Sequence, residues 1–317
     1  MTIGPTITPD TLIERWDGLA RGQTHYITMG GATPVPARVA ATPGADTLLI
    51  LFHGAVDRSK REYPPFLGER RALAPHAHQI CLADTSLHEA PDITNGWFIG
   101  SKETPLQEIL PPLFNDLKNG LGVKRVVFMG GSSGGFAALH YSSLFADSAA
   151  VVAVPQTNIN AYYKKRADDF MDRCWGNGWR EERVRPLLDL TQSYASGPPN
   201  SVVYLQSELD AFHLKNHMAP FVASLPIQSW DRVVLRCSYW GVPGHSGSVP
   251  SRVWDEWARA VVAAPDLSAR SIIETHALLN ETTNSPAASG RVAKEQEPSD
   301  KDLRISAQLA QELLRGQ

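Results

Sequence analysis

The sequence predicts an α/β protein in which a mainly parallel central sheet is covered by helices. Two patterns support this fold class. Short, continuous apolar runs such as Thr47–Phe52 are typical of strands that are buried on both faces of a parallel sheet. Helical patterns separate most of these runs, and strands that alternate with helices favour parallel pairing. The chain has 317 residues, 43% of them hydrophobic, which allows one large domain of this kind or two small ones.

The expected elements follow in order along the chain. A helix is expected first, over 9–21, because its apolar residues recur at helical spacing. Strands are then expected at His25–Met29, Pro36–Ala41, Thr47–Phe52, Gln79–Ala83, Arg125–Met129, Ala149–Val154, Val202–Leu205 and Arg232–Leu235. Helices are expected between most of them, near 64–74, 105–119, 134–146, 211–223 and 249–263.

Two segments do not fit this alternation. The segment 156–200 is too long for a simple connection, and loops of that length usually carry function or structure of their own. After Ala264 the composition changes, so the sequence predicts a main unit over 1–264 and a C-terminal extension over 265–317. This extension is expected to hold a helix at Leu267–Leu279, a flexible linker at Asn280–Pro298 and an amphipathic helix at Asp302–Arg315.

The strongest motif is a glycine-rich turn between an expected strand and an expected helix. It fits G-x-S-x-G in two frames, Gly130-x-Ser132-x-Gly134 and Gly131-x-Ser133-x-Gly135. The first frame is favoured because it places two glycines inside the helix, whereas the second places bulky Phe136 where strand and helix must pack tightly. A phosphate-binding turn is the alternative reading of this turn. A P-loop is excluded, because no G-K-[ST] follows.

On these residues the chain resembles the α/β-hydrolase family, whose elbows often have the pattern G-x-S-x-G-G. The resemblance covers about residues 25–263 and implies that Ser132 is an exposed nucleophile on a strained turn. It also implies a helical cap, inserted after the sixth expected strand and spanning about 156–200. An amphipathic helix pair that covers the sheet edge is the alternative for this segment.

The family order of nucleophile, acid and histidine along the chain implies the remaining catalytic residues. Asp210 follows the strand Val202–Leu205, where the family's acid stands, with Glu208 as the alternative. Asp210 would also suit the N-cap of the next helix. His245 lies in the Gly- and Pro-rich loop after the last strand and resembles the family's Gly-His signature. The resemblance implies that His245 takes the proton of Ser132 while Asp210 orients the imidazole.

Backbone N–H groups are expected to stabilise the oxyanion that forms during acyl transfer. The resemblance implies the N–H of Ser133 and the N–H of Ala55, with Gly54 as the alternative to Ala55. His53 begins the same loop, where it would border the substrate and is expected to shape the loop rather than act as a base.

Two further residues, Trp97 and His213, are expected near the substrate. Trp97 lies in the loop 86–100, and simple packing is its alternative role. His213 closely follows the expected acid and lies one helical turn before His217. That pair has suitable spacing for a metal, but there is no H-E-x-x-H motif and no obvious third ligand, so no metal site is expected.

Composition limits the partners. The net charge of −3 does not favour nucleic acid or an anionic membrane. No apolar run approaches the roughly 20 residues that span a bilayer. The N-terminus lacks the features of a signal peptide, and the three cysteines are scattered, so a cytoplasmic protein with reduced thiols is expected.

These features predict a serine hydrolase that cleaves a carboxylic ester or thioester through an acyl-enzyme on Ser132. An acyltransferase with the same triad is one alternative, and a non-catalytic scaffold or binding protein with this fold is another. The expected partner is a small-molecule ester or acyl substrate, and no cofactor is implied.

The sequence leaves two alternatives for the substrate pocket. Its walls would be apolar and aromatic, or Arg166, Arg173 and Arg180 would contact an anionic group of the substrate. The terminal helix would dock on its own body or on a second subunit.

Overall fold

Nine strands form one sheet in the computed structural model, which describes residues 6–90, 92–177, 179–181 and 186–283. The strand order is β1-β2-β3-β5-β4-β6-β7-β8-β9. The strands are β1 (Thr6–Ile7), β2 (Thr24–Ile27), β3 (Val35–Ala40), β4 (Thr47–Phe52), β5 (His78–Leu82), β6 (Arg125–Gly131), β7 (Ser148–Ala153), β8 (Ser201–Ser207) and β9 (Val233–Ser238).

The sheet is mainly parallel, as the apolar runs predict. Only β3 runs antiparallel to its neighbours, β2 and β5. The other pairs are parallel, and β6 lies between β4 and β7. The carboxyl ends of β4, β6, β7 and β8 therefore meet at one edge of the sheet, which brings the segments that follow them close together.

Helices cover both faces of this sheet. They are α1 (Pro9–Glu14), α2 (Ser86–Glu89), α3 (Leu106–Gly120), α4 (Ser133–Ser142), α5 (Lys164–Cys174), α6 (Leu190–Ala195), α7 (Ala211–His213), α8 (Ala219–Ser224), α9 (Ser251–Ala263) and α10 (Ala269–Thr283). A π-helical turn, Leu214–Met218, joins α7 to α8. The described part of the segment 156–200 contains α5, α6 and short 3-10 turns.

The central strands contribute side chains to two separate apolar layers, because successive side chains of a strand point to opposite faces of the sheet. In β4, Ile50 and Phe52 join the layer under α3 and α4, whereas Leu49 and Leu51 join the layer under α9. All four side chains are fully buried. This two-sided burial explains why β4 is apolar at every position from Leu48 to Phe52 and does not alternate.

Several expectations differ from the structure. The helix expected over 9–21 ends at Glu14 and is followed by a 3-10 turn, Trp16–Gly18. The helix expected near 64–74 is absent except for a single 3-10 turn, Arg71–Leu73. Gly68 has a φ of +86°, outside the helical region of the backbone, so a helix cannot run through it. The short strand β1 was not expected. Helix α10 continues to Thr283, so the first residues of the expected linker are helical.

The remainder of that linker, 284–298, and the amphipathic helix expected at Asp302–Arg315 lie outside the described residues. Within the described ranges, no helix has both the length and the apolar character needed to cross a membrane.

Buried histidines make the stability of the fold sensitive to acid. Burial lowers the pKa of His140 from 6.5 to about 4, and neither of its ring nitrogens has a hydrogen-bond partner within the described chain. Burial also lowers the pKa of His53 to about 4. The unfolded chain binds these protons at higher pH than the folded chain does. The free energy of unfolding therefore rises with pH between about 4 and 6.5. The stability that the neutral rings contribute is lost as the pH falls through that window.

We expect His140→Leu to reduce this acid sensitivity. The contribution of this one ring at pH 4.5 is on the order of 2 kcal/mol, at about 1.4 kcal/mol per unit of pKa. Urea unfolding at pH 7 and pH 4.5 measures the difference for wild type and variant. His76→Leu, at an exposed histidine, is the matched control and should keep the wild-type difference. The explanation fails if His140→Leu loses as much stability in acid as the wild type does.

Candidate active site

Ser132 stands at a sharp turn between β6 and α4, with φ of 54° and ψ of −119°. Few non-glycine residues adopt a positive φ, and such strain is commonly stored at functional sites. The turn leaves Ser132 partly exposed, whereas Ser133 is the first residue of α4 and is only 1% exposed. The strained position therefore belongs to the frame Gly130-x-Ser132-x-Gly134.

The glycines around Ser132 allow strand and helix to approach closely. A Cβ on Gly130 would overlap the carbonyl oxygen of Gly134. A Cβ on Gly134 would lie 2.5 Å from the carbonyl oxygen of Phe52, and one on Gly135 would lie 2.6 Å from the Cβ of Pro155. All three positions require the absence of a side chain.

We expect Gly134→Ala to destabilise the fold and to displace the turn. The added methyl group meets backbone oxygens of β4 and the loop after it, which cannot rotate away as a side chain would. Overpacking of this kind costs roughly 1–3 kcal/mol. Thermal unfolding measures the loss, with Gly18→Ala as the control because nothing lies within 4 Å of a Cβ there. Equal melting temperatures for the two variants would contradict the close approach.

The loop after β4 packs beside Ser132. A Cβ built on Gly54 would lie 3.7 Å from the Cβ of Ser132. Neither the N–H of Ala55 nor the N–H of Ser133 has an acceptor among the residues that the structure describes. These two donors, and the alternative at Gly54, therefore stay available for an oxygen bound beside Ser132.

His53 holds this loop in place. Its Nδ1 lies 2.7 Å from the carbonyl oxygen of Gly54, and its Nε2 accepts from the backbone N–H of Asp84 at 3.2 Å. Burial lowers the pKa of His53 to about 4, which keeps the ring neutral. Both ring nitrogens are used within the protein, so these contacts favour the loop-shaping role over the expected contact with substrate.

Asp210 lies directly beyond β8 and hydrogen-bonds to His245. Its Oδ2 is 2.7 Å from His245 Nδ1. Its Oδ1 also accepts from the backbone N–H of His213 at 3.2 Å, so the residue is an N-cap as well. Asp210 is 3% exposed, whereas the alternative acid, Glu208, is exposed. Burial alone would raise the pKa of the Asp210 carboxyl, but the hydrogen bonds from His213 and His245 outweigh it and hold that pKa below its usual value.

His213, expected near the substrate, is buried against the acid and the histidine. Its Nδ1 lies 3.0 Å from Asp210 Oδ1, and its ring stacks on that of His245 with centroids 4.0 Å apart. Burial lowers the pKa of His213. A neutral ring of this kind can donate to the carboxylate without adding a charge beside His245.

The three side chains Asp210, His213 and His245 have ligand atoms within 4.8 Å of one another, a spacing at which a metal ion could be held. This cluster does not contain His217, so it is not the His213–His217 pair considered from the sequence. The hydrogen bonds from both rings to one carboxylate already account for the cluster.

Ser132 Oγ accepts a hydrogen bond from Gln156, not from His245. Gln156 Nε2 lies 3.1 Å away, and Gln156 Oε1 in turn accepts from Trp97 Nε1. Within the described ranges, His245 Nε2 makes no hydrogen bond. Gln156 was not predicted from the sequence. The sequence feature that could have indicated it is its position two residues after Val154, where β7 reaches the sheet edge that holds the Ser132 turn.

A continuous series of hydrogen bonds and ring contacts nevertheless connects Ser132 to His245. The N–H of Thr157, next to Gln156, donates to His217 Nδ1 at 3.3 Å. The ring centroids of His217 and His213 are 5.0 Å apart, and His213 stacks on His245. The nucleophile candidate, the acid and the histidine thus lie along one stretch of the sheet edge.

The helical segment 156–200 borders this stretch through aromatic contacts. The ring of Trp97, 1% exposed, packs edge-on against Tyr162 and Phe170, with centroids 5.7 Å and 5.4 Å away. Arg173 pairs with Asp92, so this arginine already has an acidic partner. The wall that reaches the candidate site from this side is aromatic.

Comparison with known proteins identifies the fold. No protein-family model matches the chain, and no curated protein matches it. The capsule O-acetyltransferase of Neisseria meningitidis serogroup A superposes with a TM-score of 0.57 at 14% identity, over 77% of this chain and 96% of that one. A mutant of the same enzyme in complex with CoA gives 0.54 at 14% identity, over 78% and 99%.

A Mycobacterium tuberculosis puromycin-hydrolyzing peptidase gives a TM-score of 0.53 at 14% identity, over 76% of this chain and 38% of that one. Together with the mainly parallel sheet, these likenesses show that the chain has the α/β-hydrolase fold.

Proposed function

We propose that the protein is a serine hydrolase that cleaves a carboxylic ester or thioester through an acyl-enzyme on Ser132. The observation that carries the proposal is the 2.7 Å hydrogen bond between His245 and Asp210, which lies at the same sheet edge as the strained turn of Ser132. A hydroxyl is a weak nucleophile at neutral pH and needs an adjacent base. The hydrogen bond supports the proposal because it provides a candidate base with an orienting carboxylate at the same sheet edge.

The first step is attack of Ser132 Oγ on the acyl carbon. Because Asp210 holds Nδ1–H of His245, Nε2 is the nitrogen that takes the serine proton. This step requires the loop of His245 to bring Nε2 to Oγ, a bond that catalytic groups often complete only when substrate binds. The backbone N–H groups of Ser133 and Ala55 receive the developing oxyanion.

The second step releases the acyl group. Protonated His245 donates its proton to the departing alkoxide or thiolate, and Nε2 then deprotonates a water molecule that attacks the acyl-enzyme. Water attack restores Ser132 and yields the free acid. An acceptor alcohol in place of water would make the enzyme an acyltransferase, which is the alternative that this site supports through the same intermediate.

A substrate panel tests the proposal. We expect purified protein to hydrolyse p-nitrophenyl esters or acyl-thioesters of at least one chain length, with no activity in Ser132→Ala. Adding an alcohol acceptor in a concentration series separates the two outcomes. Hydrolysis that is unchanged by acceptor favours the hydrolase, whereas ester transfer that outpaces acid release favours the acyltransferase. A folded wild-type protein that turns over no ester and forms no covalent adduct would favour the scaffold alternative.

A further inference from the structure

Gln156 makes two contacts with Ser132 that the proposed mechanism does not use. It is fully buried, just beyond the end of β7. Its backbone N–H donates to the carbonyl oxygen of Ser132 at 3.0 Å, and its Nε2 donates to Ser132 Oγ at 3.1 Å. In the described part of the chain, no other side chain hydrogen-bonds to that Oγ.

Trp97 fixes which end of the Gln156 amide faces the serine. An indole N–H can only donate, so the amide atom that it meets must be Oε1. The NH₂ end is therefore directed at Ser132 Oγ. Trp97 is held firmly for this purpose, because it is 1% exposed, has a φ of +54° and packs against Tyr162 and Phe170.

This arrangement determines where the proton of Ser132 points. One lone pair of Oγ is occupied by the amide N–H, so the hydroxyl proton must be directed away from Gln156. The strand order places Gln156, which follows β7, across β6 from the loop after β4. Its donor therefore acts on Oγ itself, from the side opposite the loop that carries Ala55.

We propose that Gln156, oriented by Trp97, is a positioning residue that presents the Ser132 hydroxyl to the base and stabilises negative charge on Oγ as its proton leaves. The inference rests on the proposed function. Its physical basis is that a hydrogen bond strengthens when the acceptor becomes anionic, so the amide contributes more in the transition state than in the resting enzyme.

Removal of the amide is expected to slow acylation. Gln156→Ala should lower kcat, and the second-order rate of labelling by a fluorophosphonate probe, by about 10- to 100-fold with little change in KM. Trp97→Phe keeps an aromatic ring against Tyr162 and Phe170 but frees the amide to rotate, so it should cause a smaller loss. The double variant should be no slower than Gln156→Ala alone, because Trp97 acts through Gln156.

Gln156→Glu adds a readout that a purely structural role would not change. A carboxylate of the same shape cannot donate to Oγ and places negative charge beside it, whereas the protonated acid regains a donor. The activity of Gln156→Glu relative to wild type should therefore rise as the pH falls. A ratio that stays constant with pH would overturn the inference.

The matched control is Gln206→Ala, since Gln206 is also fully buried but bonds to the Ser207 carbonyl oxygen and not to Ser132. It should label at close to the wild-type rate, and melting temperatures establish that each variant is folded. If Gln156→Ala does not fold, the labelling rate of Trp97→Phe and the pH profile of Gln156→Glu carry the test. Labelling of Gln156→Ala and Trp97→Phe at the wild-type rate would overturn this inference alone. An unreactive wild-type protein would overturn the proposed function as well.

Discussion

Ser132→Ala is expected to reduce kcat by about 10⁴- to 10⁶-fold, as loss of the nucleophile does in serine hydrolases that use a triad. Ser132, the strained and partly exposed residue between β6 and α4, has its hydroxyl at the sheet edge. Ser133 is the paired control because it is the neighbouring serine of the same motif. Its buried hydroxyl is not needed in the mechanism, and alanine keeps its backbone N–H, so Ser133→Ala should keep most of the activity.

Steady-state kinetics on an ester that the wild type hydrolyses measure both variants. The pattern opposite to the expected one, with activity lost in Ser133→Ala and kept in Ser132→Ala, would show that the other G-x-S-x-G frame carries the nucleophile. Equal and partial losses in the two variants would argue that neither serine forms an acyl-enzyme.

His245→Ala is expected to lower kcat by at least about 10³-fold, because the serine would lose its base and the leaving group its acid. The comparison with His213→Ala is decisive, since both histidines contact Asp210. His213 is 3% exposed and stacks beneath His245, so its loss should weaken the placement of Asp210 and His245 and cause a smaller fall.

The rate of probe labelling provides the second measurement for this pair. His213→Ala should still be labelled at a measurable rate, whereas labelling of His245→Ala should be far slower. If His213→Ala is the more damaging substitution by both measures, His213 is the base and the assignment of His245 is wrong.

Much of the fold could be predicted from the sequence because buried parallel strands leave a local signal. The runs at 48–52 and 126–129 are apolar at every position, since each strand contacts both layers. The region 64–74 was predicted wrongly. Its residues have apolar spacing, but Gly68 adopts a left-handed backbone conformation that a helix cannot include.

The site was only partly predictable, because its contacts join distant parts of the chain. Ser132, Asp210 and His245 each follow a strand in the family's order, and that order is visible in one sequence. The bond between Gln156 and Ser132 spans 24 residues and the bond between Trp97 and Gln156 spans 59, and neither spacing follows a motif. His213 lies only three residues from Asp210, yet its stacking on His245 depends on how the last loop folds back.

The most direct test of the account is to locate a covalent adduct on the native protein. The folded wild type is treated with a fluorophosphonate probe, digested and analysed by tandem mass spectrometry. We expect one modified residue, Ser132, with labelling prevented by prior heat denaturation and absent in Ser132→Ala. A native protein that remains unmodified, or that carries the probe at Ser133 or elsewhere, would contradict the claim that Ser132 is the nucleophile.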